Sequence, residues 1–160
     1  MAKIAPCLWF NGAAEEAATF YVSLFPESAI GAVSRYGTGG PFPTGSALMV
    51  EFSLFGQRFQ ALNGGPRFTL NEAISFSISC KDASEVDRYW AALTNNGGEE
   101  GRCGWLKDRF GVSWQIVPEG LGALMSDPNP VRARRAAQAM MGMKKLDLAA
   151  MRAAADGEAQ

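Results

Sequence analysis

Ala14-Glu15-Glu16-Ala17-Ala18-Thr19-Phe20-Tyr21-Val22-Ser23-Leu24-Phe25 and Ser84-Glu85-Val86-Asp87-Arg88-Tyr89-Trp90-Ala91-Ala92-Leu93-Thr94-Asn95-Asn96 carry one pattern twice. Ala17, Phe20, Tyr21 and Leu24 fall at i, i+3, i+4 and i+7, one face of an amphipathic helix. Val86, Tyr89, Trp90 and Leu93 repeat that face 69 positions later. Asn11 is the candidate cap of the first helix, Glu15 and Glu16 suit its positive end, and Pro26 stops it. Asp82 or Ser84 would cap the second helix, and Gly97-Gly98 would end it. A unit repeated within so short a chain decides the fold before any strand is assigned.

Working outward, each helix follows an extended segment, Ile4-Ala5-Pro6-Cys7-Leu8-Trp9-Phe10 or Ile74-Ser75-Phe76-Ser77-Ile78-Ser79-Cys80. The second alternates strictly, with Phe76, Ile78 and Cys80 expected under the helix and Ser75, Ser77 and Ser79 on the opposite face. Carrying the offset of 69 back to the first segment puts Pro6, Leu8 and Phe10 on its open face. Later, Leu54-Phe55-Gly56-Gln57-Arg58-Phe59-Gln60-Ala61-Leu62 matches Arg109-Phe110-Gly111-Val112-Ser113-Trp114-Gln115-Ile116-Val117 at an offset of 55. Both read as a Phe-Gly hairpin turn leading into a strand. The offset changes because residues 37–45, rich in glycine and proline, form a long loop in the first half.

Residues 29–36 and 46–55 complete the strands of the first half, and 98–105 and 106–110 are the weaker candidates in the second. The expected fold is therefore α+β, one domain over 1–118 built from tandem βαβββ modules, about 1–66 and 71–118. The faces opposite the helices would enclose a cavity. Residues 119–160 form a helical C-terminal extension. There Ala133, Ala137, Met140, Met141 and Lys144 share a packing stripe, with Arg132, Arg135 and Gln138 on a solvated side and Asp147 capping a last helix.

Composition narrows function. Fifteen Lys and Arg balance sixteen Asp and Glu in 160 residues, so no general positive field exists for nucleic acid. No apolar run reaches the roughly 18 residues that span a bilayer, and no signal-peptide core is seen; a cytoplasmic protein without membrane partners is expected. Cys7, Cys80 and Cys103 are read as buried free thiols. The chain has no histidine, which removes every imidazole relay and every His-ligated metal site.

Several motifs are recognisable. Pro6-Cys7-Leu8-Trp9-Phe10-Asn11-Gly12, Ala61-Leu62-Asn63-Gly64-Gly65-Pro66, Asn71-Glu72-Ala73-Ile74-Ser75-Phe76 and the run from Cys103 to Pro118 resemble the PhnB-like branch of the vicinal oxygen chelate superfamily. That branch often carries the label 3-demethylubiquinone-9 3-methyltransferase, and the superfamily includes glyoxalase I, extradiol dioxygenases and bleomycin-resistance proteins. Superfamily members commonly pair, so the resemblance implies a homodimer. By the resemblance, metal-ligand positions would fall at Pro6, Gln60, Ser75 and Gln115; none is His or Glu, and no metal is expected. No Gly-rich strand-to-helix turn with a downstream acidic ribose ligand occurs, so no cofactor is expected either.

The candidate ligand-binding residues are Gln60 and Gln115, with Leu8, Phe10, Leu62, Ser75, Ser77, Trp105 and Val117 as neighbours and Tyr36 at a rim. The two glutamines would orient a polar ligand in an apolar pocket or bond each other in a purely structural role. Asn63 shapes the pocket mouth or a simple turn, and Glu51 and Glu72 are acid or base candidates. The expected function is metal-independent small-molecule binding. The alternative is an enzyme: a divalent-metal lyase, a dioxygenase or the methyltransferase of the label.

Overall fold

The computed structural model describes residues 3–158, and the chain divides between Leu70 and Asn71 into two compact units. In the first, β1 (Cys7–Phe10), α1 (Ala14–Leu24), β2 (Ala29–Arg35), β3 (Ala47–Leu54) and β4 (Gln57–Asn63) form a four-stranded sheet in the order β1-β4-β3-β2. β1 runs parallel to β4, and the other neighbours are antiparallel. Alternate residues Val50, Phe52, Leu54, Phe59 and Ala61 are buried, as are Ala14, Ala17, Ala18 and Tyr21 of α1, which packs on β3 and β4. Tyr21 stacks on Phe52, and Phe52 on Phe59, at 6.4 and 5.4 Å. Phe55 and Gly56, at φ +48° and +74°, make a two-residue turn whose twist matches that of the strands.

Helix α1 begins differently from the sequence expectation. Asn11 does not cap it; the N-cap is Ala13, which has no side chain to offer. Asn63, at the end of β4, supplies the acceptor, its Oδ1 lying 3.0 Å from the Gly12 nitrogen and 2.9 Å from that of Ala14.

The second unit repeats the plan with β5 (Phe76–Cys80), α2 (Ala83–Thr94), β6 (Glu99–Glu100), β7 (Trp105–Lys107) and β8 (Ser113–Pro118), in the order β5-β8-β7-β6. Val86, Tyr89, Trp90 and Leu93 are buried as their spacing requires. Asp82 caps α2 through the Glu85 nitrogen at 2.8 Å, and the Glu85 carboxylate returns to the Lys81 nitrogen at 2.9 Å.

The strands expected over 98–105 and 106–110 are much shorter. Cys103 and Gly104 take φ +55° and +83°, closing a tight turn between β6 and β7 in the middle of the first segment. Asp108 ends the second. Its buried carboxylate accepts from the Phe110 and Val112 nitrogens at 2.9 and 3.0 Å and from Trp114 Nε1 at 2.8 Å. Phe110-Gly111 thus lies inside a longer loop and is not a copy of the two-residue Phe55-Gly56 turn.

The C-terminal helices α3 (Leu121–Met125), α4 (Pro130–Met141) and α5 (Leu148–Asp156) belong to the second compact unit. They share a core of Leu124, Ala136, Leu146, Met151 and Ala155. The Cys103-Gly104 turn donates backbone hydrogen bonds to Met143 and Lys144 at 2.9 and 2.8 Å, which ties the extension to the module. On α4 the buried side runs through Ala136, with Ala139 and Met140 packed beside it and Met143 following just beyond the helix; Met141 is two-thirds exposed, so the expected stripe is rotated. Arg132 is bonded to Asp127 and Asp156 and does not lie free on a solvated side. Asp147 caps α5 as expected, accepting from the Ala150 nitrogen at 3.0 Å.

Pairing register corrects the first strand. Cys7 lies beside Gln60, and Ser77 beside Gln115, so the two β1-type strands are related by 70 residues, whereas the helices are related by 69. The connection into α1 holds three residues and that into α2 two, which absorbs the difference. One residue of slip exchanges the two faces of a strand.

Candidate functional site

With the register corrected, the face of each sheet away from its helix can be read residue by residue. In the first unit Cys7, Gln60 and Glu51 form one lateral row, and Trp9, Leu62 and Met49 the next. Leu8 and Phe10 are not on this face. They pair with Ala61 and Asn63, are 7% and 4% exposed, and pack on the helix side. Cys7, read as a buried thiol from the sequence, is exposed on the open face, Cys103 is half-buried and only Cys80 is buried. Desolvation raises the Cys7 thiol above its ordinary range. For Cys80, burial and then the nearby Glu85 and Asp82 carboxylates push it up to about 12.

The Gln60 side chain is half-buried and has no side-chain hydrogen-bond partner among the described residues. Glu51, next to it, lies 3.8 Å from Arg58. Trp9 closes one end of the face. Its indole nitrogen donates to the Gly65 carbonyl at 2.8 Å, its ring meets Phe68 edge-on at 5.0 Å, and a Cβ on Gly64 would lie 2.3 Å from it. Tyr36 is committed to structure: its hydroxyl donates to the Asn63 carbonyl at 2.5 Å and its ring leans on Phe42. Asn63 itself is 2% exposed, fully engaged and not part of a pocket mouth.

In the second unit the sequence placed the open face correctly. Ser77, Gln115 and Trp105 form one row, and Ser75 and Val117 alternate onto the same side. Gln115 Nε2 donates to Ser75 Oγ at 2.9 Å. The partner of the Gln115 amide is thus a hydroxyl of its own sheet. Glu72 is ion-paired with Lys107, and that ammonium holds its carboxyl below the usual carboxylate range.

A pocket of about 240 Å³ that the sequence did not suggest lies where α2 and α5 begin. Of its charged groups, Asp82 and Asp147 cap the two helices, Lys145 pairs with Asp87 and Glu119 accepts from Ser79 Oγ at 3.5 Å. No motif marks it, because its walls meet only through the docking of the extension.

A resident metal does not fit these residues. Among the described residues no three His, Cys, Asp or Glu side chains gather closely enough to hold an ion. The true counterpart of Ser75 is Ala5, and Pro6 instead corresponds to Phe76 on the helix side, so the pattern offers an alkyl group, two amides and a hydroxyl. The N-termini of α1, α2, α4 and α5 are engaged by Asn63, Asp82, Asn129 and Asp147, and α3, which has no side-chain cap, is only five residues long.

The chain thus holds two four-stranded βαβββ units, each with its first strand parallel to its last, the fold class that the sequence resemblance implied. The family model described as 3-demethylubiquinone-9 3-methyltransferase matches residues 2–117, and the chain belongs to that family, in its PhnB-like branch. The PhnB protein of Bacillus cereus is 35% identical, with 73% of this chain and 99% of that one covered and a TM-score of 0.68. Protein PA1353 of Pseudomonas aeruginosa is 23% identical, with 74% and 98% covered and a TM-score of 0.61. A glyoxalase/bleomycin resistance protein from Albidiferax ferrireducens T118 is 15% identical, with 72% and 96% covered and a TM-score of 0.48. No curated protein matches the chain. Among the described residues, no helix is long and apolar enough to cross a membrane.

Proposed function

We propose that this protein binds a small molecule without a metal, on the open sheet faces that carry Gln60 and Gln115. The observation that carries the reading is the half-buried amide of Gln60, which has no side-chain hydrogen-bond partner among the described residues and lies between Cys7 and Glu51, beside the apolar row of Trp9, Leu62 and Met49. In the second unit Ser75 orients the Gln115 amide, leaving its oxygen as an acceptor beside the Trp105 and Val117 side chains. Each amide, on the face of its own unit, reads hydrogen-bonding groups on a neutral or aromatic ligand and itself supplies no acid, base or nucleophile.

We extend the proposal to a homodimer working in the cytoplasm. Strand β2 supports pairing: it lies at a sheet edge and is exposed along nearly its whole length, with Ile30 40% exposed. The exposed Cys7 thiol suits a reducing compartment. Native mass spectrometry and thermal shift against aromatic metabolites test the binding, with Gln60→Leu and Gln115→Leu as controls. Ligands that bind both variants as tightly as the parent would remove the reading, and a monomeric mass by light scattering would remove the dimer.

A further inference from the structure

Asn11-Gly12, Asn63-Gly64 and Asn96-Gly97 place asparagine before glycine three times in the chain. At such a pair the main-chain nitrogen of the glycine, with no Cβ beside it, can close a five-membered ring on the asparagine Cγ. The three pairs are equivalent as sequence and differ in what the fold does to them. Asn63-Gly64 is held at every atom the ring closure uses. Asn63 is 2% exposed, its Oδ1 accepts from the Gly12 and Ala14 nitrogens, its Nδ2 donates to the Ala47 carbonyl, and the Gly64 nitrogen donates to the Phe10 carbonyl at 3.0 Å. Asn11 is exposed, but the nitrogen that would attack it, that of Gly12, is the one that Asn63 Oδ1 holds at 3.0 Å. Asn63 thus restrains two of the three pairs.

Asn96-Gly97 escapes both restraints. The two residues are exposed, and the Asn96 side-chain amide has no hydrogen-bond partner among the described residues. They form the centre of a tight turn after α2, with Asn96 at φ +53° and ψ +36° and Gly97 at φ +107°, a backbone that favours this dipeptide. The bond that closes the turn runs from the Gly98 nitrogen to the Asn95 carbonyl at 3.3 Å, long for its kind. It uses neither the Gly97 nitrogen nor the Asn96 amide, so the reacting atoms meet through a small local opening.

We propose that Asn96 is a site of spontaneous deamidation, the asparagine–glycine pair that this fold leaves reactive. The Gly97 nitrogen gives its proton to hydroxide and bonds to Asn96 Cγ, the Cγ–Nδ2 bond breaks, and ammonia leaves with a proton taken from water. Water then opens the cyclic imide at either carbonyl, giving aspartate or, with the main chain rerouted through the side chain, isoaspartate. Each event consumes one water and releases one ammonia, and nothing is oxidised or reduced. The product suits its place poorly. Helix α2 has no basic residue in its last turn and Glu99 and Glu100 follow directly, so a carboxylate at position 96 meets the negative helix end and like charges. Isoaspartate also adds a main-chain carbon inside the turn. Conversion therefore loosens the end of α2 and the edge strand β6. This inference is independent of the ligand reading and stands or falls without it.

The test ages the full chain at mildly alkaline pH, with and without urea, and follows each asparagine by peptide mass mapping, with isoaspartate-specific methylation to count the rearranged product. In the folded protein Asn96 converts about ten-fold or more faster than Asn11 and Asn63, and in urea the three rates converge to within about three-fold, because the fold alone separates them. Asn96→Gly, which suits the positive φ and carries no amide, removes most of the negative charge gained by the folded protein. Aged protein rich in isoaspartate exchanges amide hydrogens faster in the last turn of α2 and in β6 than in β8. Conversion of Asn11 or Asn63 in the folded state as fast as that of Asn96 overturns the proposal, as does an Asn96 that reacts in urea alone or keeps its lead there. Exchange that stays unchanged in the converted protein overturns the structural consequence assigned to it.

Discussion

Asn63 Oδ1 lies 2.9 Å from the Ala14 backbone nitrogen, so a helix is capped by the end of a strand 49 residues further along the chain. The same side chain donates from Nδ2 to the Ala47 carbonyl at 2.9 Å and reaches the Gly12 nitrogen at 3.0 Å. One buried amide therefore fastens the start of α1, the start of β3 and the end of β4. Asn63→Ala strands two N–H groups and a carbonyl at once, and a loss of about 2–4 kcal/mol is expected on the scale of one cap and one orphaned buried group. Asn63→Asp keeps the acceptor but turns an oxygen on the Ala47 carbonyl, so it is expected to fall between Ala and the parent in urea denaturation.

Gly104 carries a comparable burden in the second unit. Its φ of +83° is one that side chains rarely adopt, and a Cβ there would lie 2.9 Å from both the Ile116 carbonyl oxygen and Leu146 Cδ1. The turn it closes is also the one that bonds to Met143 and Lys144. Gly104→Ala is expected to cost about 2 kcal/mol or more and to loosen the C-terminal helices first, seen as faster hydrogen exchange in α4 and α5 than in α2. Equal acceleration in all three helices would show that the extension is not hinged on this turn.

The helices were readable because 3.6-residue periodicity is a local property: all four apolar positions of α2 are buried as expected. The face of β5 was equally legible, since Ser and apolar residues alternate without exception from Ser75 to Cys80. The face of β1 was not. Its segment is apolar at Pro6, Cys7, Leu8, Trp9 and Phe10 alike, so only the register against Gln60 and Ala61 tells inside from outside. Extrapolating the helix offset across a connection one residue longer put Leu8 and Phe10 on the wrong side and hid Cys7. The cap from Asn63 and the orphaned Ser113 hydroxyl are long-range facts of the same kind and leave no trace in local spacing.

The three thiols separate by environment. Cys7 is exposed, so it is expected to react with a thiol reagent in the native protein, whereas Cys80 stays silent until unfolding. The thiolate is the reactive species, and Cys7 is raised by desolvation, so its labelling at pH 7.5 is slower than that of a small free thiol and climbs about ten-fold per pH unit. Cys80 adds a stability effect. Its native thiol stays protonated to about 12, while in the unfolded chain it ionises near the usual value of about 8.5. Above that value the unfolded state binds fewer protons than the native one, so stability falls as pH rises. Cys80→Ala is expected to flatten that alkaline decline between about pH 8.5 and 11, measured by the urea midpoint. An unchanged slope would place the alkaline sensitivity elsewhere.

Gln115 offers the sharpest separation of a binding role from a structural one. Its amide bonds to Ser75 Oγ at 2.9 Å, and both residues are only half-buried, so water can replace either partner. A partly solvated neutral hydrogen bond contributes about 0.5–1.5 kcal/mol, and the leucine of Gln115→Leu recovers part of this by burying more apolar surface. The free protein is therefore expected to shift by no more than about 1 kcal/mol. A ligand that bonds to the amide has no such compensation and should lose ten-fold or more in affinity, equivalent to about 1.4 kcal/mol. Gln60→Leu is expected to be milder still for stability, because its amide has no side-chain hydrogen-bond partner among the described residues. If Gln115→Leu instead costs several kcal/mol in denaturation while ligand affinity is unchanged, the Ser75 to Gln115 pair is a structural clamp and the binding reading of this face fails.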